Sequence, residues 1–520
     1  MHWLDVVIMT IYFGALVALG VYFWKKNTST EEYFVGSRSF SGWVVGISLL
    51  GTAISSITFL AYPADAFKTT WIRFTPNIML LAAVFIAAFV FLPFFRRGKI
   101  TSAYEYLEDR FGPSIRLYGA ATFLFTELIR ISIILFLLSL VLHEITGLSP
   151  TAVIVMAGAF VVFYTVIGGI DTVIWTDVVQ VVVFVIGGLI CLGVIIHELP
   201  GGLSQILSVA TVDGKFALAE LMDGKAEAAS WGLTVQRKTI TMMLILGLTK
   251  WLQHYCFNQN IIQRYVATKT TAEARKAMFV AAFLRVPLWA FFFFLGTSLY
   301  VYFKVFPTDE AARMLTGELK AEQVLPYFII NYLPPGLTGL VLAAALAAAM
   351  SSLDSSINAI STVGVVDIYR RHLVQDRDDR HYLRFAHGLA TIAGAVMILG
   401  AIVLLHTETT TIEDTALILV SLFGGGMLGV YLIGFFTTKG DARAVGVGIV
   451  FTILFTGWAM LSKTEWLPQA LRPPFDLYYT AIFANLAMFV AGYLAASLWP
   501  AKHRDLANLT VWTQENSNKK

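Results

Sequence analysis

Runs of about 20 apolar residues, the length that a helix needs to cross a bilayer, recur from one end of the chain to the other. Lipid offers no partners for backbone N–H and C=O groups, so such runs fold as helices that satisfy these groups internally. The composition agrees, because 57% of the 520 residues are hydrophobic and only 14% are charged. This excludes an ordinary soluble globule. The net charge of +3 is small and dispersed, and it does not indicate a nucleic-acid partner.

We predict an all-α integral membrane protein that forms one membrane transport domain over residues 1–520. The first apolar run has no basic segment before it and no cleavage site after it, so we interpret it as a retained helix. The two cysteines lie in apolar segments and indicate neither a disulfide framework nor a metal site. The thirteen predicted spans are 3–24, 42–64, 75–95, 114–144, 149–167, 173–197, 240–263, 277–303, 328–366, 382–405, 413–437, 444–461 and 476–499.

The distribution of basic residues predicts the orientation of these spans. An odd number of spans puts the two termini on opposite sides of the membrane. With the N-terminus outside, the cytoplasmic segments hold 23 of the 37 Lys and Arg residues, the outer loops hold 11, and three lie within spans. This excess has the sign of the positive-inside rule. We therefore expect a multi-pass protein of the cell (inner) membrane with a cytoplasmic C-terminus.

The stretch 343–362, within the predicted span 328–366, is rich in hydroxyls and contains a carboxylate. Ser351, Asp354 and Ser355 are spaced i, i+3 and i+4, so they share one face of a helix. An ionisable residue in a span usually faces a cavity, an ion path or a partner. Hard oxygen ligands on that face favour a small hard cation. The alternative is that small residues and hydroxyls only allow close helix packing.

Two polar interruptions lie in spans that are five spans apart. The first, 51–56, combines glycine with hydroxyls, and a break there would expose the carbonyls of Gly51 and Ile54 as cation ligands. The second covers 250–259. Interruptions at corresponding positions of two halves favour an inverted-repeat transporter. Two unrelated packing irregularities are the alternative.

A third feature is a carboxylate close to the cytoplasmic end of a span. Asp171 is expected in a tight cytoplasmic turn, whereas Asp177 falls about one turn into an apolar helix. A carboxylate at that shallow depth could stage a cation between the midplane and the cytoplasm.

Five motifs occur in order along the chain: SSITF (55–59), ITSAYEYLEDRF (100–111), GG followed by VIWTDVVQ (168–180), NIIQRY (260–265) and SSLDSSINAIST (351–362). With them the chain resembles the sodium/solute symporter family over nearly its whole length, and is most similar to the family's bacterial sialic acid branch. The resemblance implies a LeuT-like inverted five-helix repeat. One extra helix would precede it and two would follow it. The two repeats would be 42–197 and 240–437, and the extra helices 3–24, 444–461 and 476–499.

The resemblance also implies two sodium sites. The common site of the fold would use the carbonyls of Gly51, Ile54 and Ala348 and the hydroxyls of Ser351 and Ser352, with Gly51 in place of a more usual alanine.

The second sodium site would use Asp177, Ser351, Asp354 and Ser355. Asp354 stands where the family has serine, so it could bind sodium more tightly or be protonated and leave the site empty. The number of sodium ions per cycle and the choice between sodium and protons at Asp177 and Asp354 therefore stay open.

The substrate contacts implied by the resemblance are Ser55, Thr58, Asn77 and Arg130, with Asn77 in place of a longer glutamine. A guanidinium in a span can clamp a carboxylate through two hydrogen bonds. The alternative is that Glu127, three residues earlier on the same face, only neutralises Arg130.

Three further basic residues, Lys250, His254 and Arg285, could line the cavity. Arg285 falls near the position of a sugar-contacting lysine in the hexose branch.

We predict a sodium-coupled symporter that imports a small organic solute by alternating access, with sialic acid or a similar carboxylated sugar as the best candidate. A neutral sugar and a small monocarboxylate or other anion are the alternatives. A channel, a membrane sensor and an intramembrane enzyme fit less well, because no filter repeat, signalling domain or metalloprotease motif is evident. The expected partners are the solute, sodium and the bilayer. We expect no cofactor besides sodium, no nucleic acid and no obligate protein partner.

Overall fold

The computed structural model describes residues 2–24, 29–96, 100–222, 225–406, 424–462, 467–499 and 505–513. This part of the chain is almost entirely helical. Nine of its helices are long and apolar enough to cross a membrane, or ten if a bent pair counts as one span. Those nine are Trp3–Phe23, Trp71–Arg96, Pro113–Leu140, Pro150–Glu198, Thr271–Val305, Leu337–Leu373, Asp379–Leu405, Ala442–Leu461 and Leu477–Leu498.

Segments of 3-10 and π-helix interrupt or extend some of these helices. The regular helices are Trp3–Trp24, Thr30–Val35, Gly42–Ala53, Tyr62–Lys68, Thr75–Ile78, Leu80–Ile86, Leu92–Arg96, Glu105–Phe111, Pro113–Thr146, Pro150–Glu198, Gly202–Val212, Ile240–Phe257, Gln259–Val266, Thr271–Val305, Asp309–Thr316, Val324–Tyr332, Leu337–Val363, Asp379–Leu405, Met427–Phe436, Ala442–Leu461 and Thr480–Leu498. Two strands, Ala219–Met222 and Lys225–Ala228, form an antiparallel hairpin in the long loop 198–239.

The fifth and sixth predicted spans are two helices that meet at a kink within Pro150–Glu198, and we call this pair the kinked helix. Its only non-helical residue is Gly169, at φ 57° and ψ −159°. A straight helix of 49 residues would be about 74 Å long. That is more than twice the hydrocarbon thickness of about 30 Å, so its two halves are long enough to be separate spans. Asp171 lies two residues beyond this bend and not in a longer loop.

The predicted span 328–366 starts too early. The structure has two helices there, Val324–Tyr332 and Leu337–Val363, with a break between them. Two prolines at 334–335 remove backbone donors, and Gly336 adopts φ +90°, a conformation that side chains other than glycine rarely take. The apolar run continues through these prolines, so its length alone overstated the span. The helix begins only after them, at Leu337.

Part of the predicted span 413–437 lies outside the described residues, namely 413–423. The helix Met427–Phe436 forms the described part of that span. The predicted interruption at 250–259 is confirmed as a break at Asn258 between Ile240–Phe257 and Gln259–Val266, where the backbone is extended.

The helix Leu337–Val363, which we call the hydroxyl helix, lies at the centre of the molecule. In its most apolar window 94% of residues are buried, against 22–56% in the other spans. Its alanines allow close approach, because a Cβ added to Gly187 of the kinked helix would lie 2.4 Å from the Ala344 Cβ. The hydroxyls and the carboxylate of this helix therefore face protein on all sides.

Candidate functional site

The predicted break in the second span is confirmed. Helix Gly42–Ala53 ends at Ile54, whose backbone is extended at φ −78° and ψ 125°. The helix resumes at Ile57 and continues to Lys68, at an angle of 65° to the first half. We call 42–68 the broken span. The Gly51 carbonyl at the end of its first half accepts from the Ile54 amide at 3.0 Å, but a carbonyl oxygen has two lone pairs and can take a further partner.

Two serines of the hydroxyl helix reach these carbonyls. The Ser351 hydroxyl donates to the Gly51 carbonyl at 2.9 Å and lies 3.4 Å from the carbonyls of Ile54 and Ala348. The Ser352 hydroxyl lies 3.0 Å from the Ile54 carbonyl. All five oxygens of the predicted common sodium site thus meet at one place.

The chemistry of this donor set fits a small hard cation. All five groups are uncharged oxygens, and both serine side chains are buried. The hydroxyl protons now point at carbonyls, and a cation would let the hydroxyl lone pairs turn inward instead. Gly51 also lies against the kinked helix, because a Cβ there would be 3.1 Å from the Asp177 Cβ. An alanine at position 51 would fit only if Asp177 shifted slightly.

The second predicted sodium site contains a cation of the protein itself. Arg264 Nη2 lies 2.9 Å from Asp177 Oδ2 and 2.5 Å from the Ser355 hydroxyl. Arg264 Nε donates to the Ser48 hydroxyl at 2.8 Å, and Ser48 in turn donates to Asp177 at 2.6 Å. Both charged side chains are buried, with exposed fractions of 1% and 0%.

The other carboxylate of that site has a separate set of partners. Asp354 Oδ2 accepts from the Tyr164 hydroxyl at 2.8 Å and lies 3.4 Å from the Thr176 hydroxyl. Asp354 Oδ1 lies 3.3 Å from the Ser355 hydroxyl. In this conformation the four predicted ligands therefore do not surround one common point, because the Arg264 guanidinium bridges Asp177 and Ser355.

Sequence reasoning missed Arg264. It follows the predicted span 240–263, where a basic residue is typical of the membrane surface. The structure instead places it in the helix Gln259–Val266, after the break at Asn258, and buries it. The motif NIIQRY contained Arg264 but held no indication that it points inward, since its partner Asp177 lies 87 residues away along the chain.

The predicted substrate residues lie around the second half of the broken span. Ser55 and Thr58 are buried at the break, and the Thr58 amide donates to the Ser55 carbonyl at 2.9 Å. Asn77 is also buried, with its amide nitrogen 3.5 Å from the Tyr62 hydroxyl. These three polar residues come from neighbouring elements.

Arg130 is paired with Glu127, as the alternative interpretation of the sequence proposed. Arg130 Nη1 donates to Glu127 Oε1, and it also lies 3.4 Å from the Ser356 hydroxyl. The Arg130 side chain nevertheless keeps 32% of its surface exposed, whereas Glu127 keeps 4%. The Arg130 side chain as a whole is therefore only partly enclosed by protein.

Of the three residues expected to line the cavity, Lys250 is exposed and His254 half-buried within helix Ile240–Phe257. Arg285 is fully buried and donates to the Leu49 carbonyl, so its predicted role in the lining is wrong for this conformation. The side chain of Arg285 packs over the Trp289 ring at 5.7 Å and presents no surface to a solute.

Positive charge nevertheless accumulates around His254. The side chains of Lys250, Arg130 and Arg285 all lie within Coulombic reach of its ring. Of these side chains Lys250 is exposed, whereas Arg130 is paired with Glu127 and Arg285 is enclosed by protein.

Comparison with known proteins identifies the family to which this chain is similar. The model of the sodium:solute symporter family matches residues 33–449. The sodium/sialic acid symporter NanT of Aliivibrio fischeri is 30% identical over 496 residues, covering 95% of this chain and 93% of the relative. The sodium/sialic acid symporter SiaT of Proteus mirabilis is 31% identical, covering 95% of each. The human sodium/iodide cotransporter is 29% identical and covers 94% of this chain and 74% of its own.

Solved structures give the same result at the level of the fold. A sodium-coupled sialic acid symporter in a substrate-bound, outward-open state superposes with a TM-score of 0.86 at 29% identity, covering 97% of this chain and all of its own. The nucleobase-cation symporter Mhp1 reaches a TM-score of 0.55 at 15% identity, which shows a shared transporter fold alone. The chain is thus a multi-pass membrane protein that belongs to the sodium:solute symporter family.

Proposed function

We propose that this protein is a sodium-coupled symporter, not an enzyme, that imports sialic acid or a similar carboxylated sugar. The observation that carries the proposal is the meeting of Ser351 and Ser352 with the carbonyls of the broken span, which forms an all-oxygen site between two separate elements. The two bacterial relatives compared above are sodium/sialic acid symporters, and this chain covers 93–95% of their length.

Sodium would act by joining the broken span to the hydroxyl helix. A ligand stabilises a conformation only to the extent that it binds that conformation better than the others. Sodium held by Gly51, Ile54, Ala348, Ser351 and Ser352 would therefore favour the state in which the two elements touch, which we propose is the outward-open, substrate-ready state. One charge that crosses 100 mV supplies about 2.3 kcal/mol, before the sodium concentration gradient is added.

The second sodium position stays a prediction of the sequence. It requires the Arg264 guanidinium to leave Asp177 first, because a cation at that carboxylate would meet the positive charge that is already there. Asp354, with its own partner Tyr164, could then take either sodium or a proton.

The solute would lie between the broken span and Arg130. We propose that the Arg130 guanidinium binds the carboxylate of the solute, with Ser55, Thr58 and Asn77 as polar contacts. Lys250, which is exposed, would add a positive potential. A neutral sugar would not use these charges, and a small monocarboxylate or an inorganic anion would leave the polar contacts unused.

We also propose the finer architecture that the family suggests. It consists of thirteen spans, with inverted repeats at 42–197 and 240–437 and extra helices at 3–24, 444–461 and 476–499. The N-terminus would lie outside the inner membrane and the C-terminus in the cytoplasm, as the distribution of basic residues indicates.

The test is uptake of radiolabelled sialic acid into proteoliposomes under an imposed sodium gradient, with glucose and a short monocarboxylate in parallel. We expect sodium-dependent uptake of sialic acid that is lost in Arg130→Ala and kept in Arg313→Ala, whose exposed side chain lies on the short helix Asp309–Thr316 and pairs with Glu318. Sodium-driven uptake of another solute, unaffected by Arg130→Ala, would refute the sialic acid assignment and keep the symporter. No sodium dependence for any solute would refute the symporter.

A further inference from the structure

The carboxylate of Glu127 joins three spans inside the membrane. Its Oε1 atom accepts from Arg130 on the same helix, from the Asn260 amide at 2.8 Å and from the Ser356 hydroxyl at 2.6 Å. Asn260 follows the break in the second interrupted span, and Ser356 belongs to the hydroxyl helix. One oxygen therefore has three donors from three elements.

Three donors exceed what one carboxylate oxygen accommodates well. An ionised carboxylate has about four acceptor positions over two oxygens, or about two on each. When one donor to Glu127 Oε1 strengthens, another must weaken. Ser356 and Arg130 are thus competitors for the same atom.

The Ser356 hydroxyl has a choice of acceptors. It lies 2.6 Å from Glu127 Oε1 and 2.7 Å from the Ser352 carbonyl, one turn earlier on the hydroxyl helix. A hydroxyl has one proton, so a strong hydrogen bond to one acceptor is made at the expense of the other. This gives the contact two discrete arrangements of nearly equal geometry.

Ser352 also belongs to the candidate sodium site, through its side chain. A cation bound at that hydroxyl makes the carbonyl oxygen of the same residue a poorer acceptor, because the positive charge withdraws electron density from it. The Ser356 proton would then turn towards Glu127. Glu127 would in turn hold Arg130 less tightly, and more of the guanidinium would become available to a carboxylate.

We propose that Glu127 is a positioning residue through which sodium binding at Ser352 releases Arg130 to bind the carboxylate of the solute. This inference rests on the proposed function for the sodium and solute positions. It adds to that function the series of contacts from Ser352 through Ser356 and Glu127 to Arg130, by which solute binding would depend on sodium. Coupling of this kind is a difference in free energy between two arrangements, and it acts in both directions.

The test uses a readout that needs no solute. Phenylglyoxal modifies arginine side chains that are accessible and not held in an ion pair, and peptide mass spectrometry locates the modified residue. The full-length protein is labelled in detergent with sodium or with an equal concentration of potassium. In the wild type we expect sodium to speed modification of Arg130 at least threefold, while Arg237, which is exposed in the segment 198–239, reacts equally in both salts.

Variants separate the proposed contact from a general opening of the protein. In Glu127→Gln, Arg130 should react fast in both salts, because the amide carries no charge to hold it. In Ser356→Ala the sodium effect on Arg130 should disappear, and in Ser356→Thr, which keeps the hydroxyl, it should remain. The matched control is Ser361→Ala, on the same helix, whose hydroxyl donates to the Ala386 carbonyl instead.

Two results would overturn the inference. One is wild-type labelling of Arg130 that does not change with sodium. The other is a sodium effect that survives in Ser356→Ala at its wild-type size. Neither depends on which solute is transported, so the uptake assay can fail for sialic acid while the labelling result stands, and the reverse can also occur.

Discussion

Removal of one hydroxyl from the candidate sodium site, by Ser352→Ala, should weaken sodium binding without unfolding the protein. The Ser352 hydroxyl lies 3.0 Å from the Ile54 carbonyl and 3.3 Å from the Thr52 carbonyl. The Ile54 carbonyl keeps a second donor, Ser351, at 3.4 Å. Alanine is smaller than serine and favours the helix, so no clash arises. The change therefore removes one oxygen ligand of five and little else.

The magnitude follows from the difference between a neutral and a charged partner. A hydrogen bond between neutral groups contributes about 1 kcal/mol to folding, and an interaction with a charged group about 1.5–3 kcal/mol. If sodium loses one such ligand, its affinity falls by a factor of about 10 to 150, at 1.4 kcal/mol for each tenfold change. Stability in potassium should fall by only about 1 kcal/mol.

Two measurements check this expectation. The sodium concentration for half-maximal uptake should rise at least tenfold in Ser352→Ala, with the maximal rate restored at saturating sodium. The sodium-dependent rise in melting temperature should move to higher sodium in parallel. Ser361→Ala, on the same helix, is the control and should behave like the wild type. A half-maximal concentration in Ser352→Ala that matches this control would refute the assignment of Ser352 as a ligand.

Three further changes test other parts of the structure. Arg264→Gln leaves the buried Asp177 carboxylate without its cation and should destabilise the protein by about 3–5 kcal/mol, measured by thermal unfolding. Addition of Asp177→Asn should recover much of that loss, and a double variant as unstable as the single one would contradict the pairing. Gly296→Ala would bring a Cβ within 2.1 Å of a proline carbonyl in the broken span and should cost about 1–3 kcal/mol, whereas Gly193→Ala, with nothing within 4 Å, should cost nothing. Burial lowers the pKa of Lys215, in the segment 198–239, from its usual 10.5 to about 8. The native side chain then binds fewer protons than the unfolded one between these values, so unfolding free energy should rise with pH from about 8 to 10.5, and Lys215→Met should flatten that slope.

The sequence by itself determined the class of protein and pointed to a candidate sodium site. A run of about 20 apolar residues satisfies its own backbone groups in lipid by folding as a helix, so the fold class follows from local composition. The break near Gly51 and the hydroxyl face with Ser351 are local features of single spans, and the family resemblance added Ser352. The structure brings them together as predicted.

Only the tertiary structure decided that Arg264 occupies the second predicted sodium site and that Arg285 is enclosed by protein. Arg264 looked like a surface residue at the end of a span, and its burial against Asp177 depends on the break at Asn258 that turns the helix inward. Arg285 looked like a cavity residue, and only the packing of helix Thr271–Val305 against the broken span shows that it binds a backbone carbonyl. Helix periodicity gives the face of a side chain, but the identity of its partner depends on contacts between residues far apart along the chain.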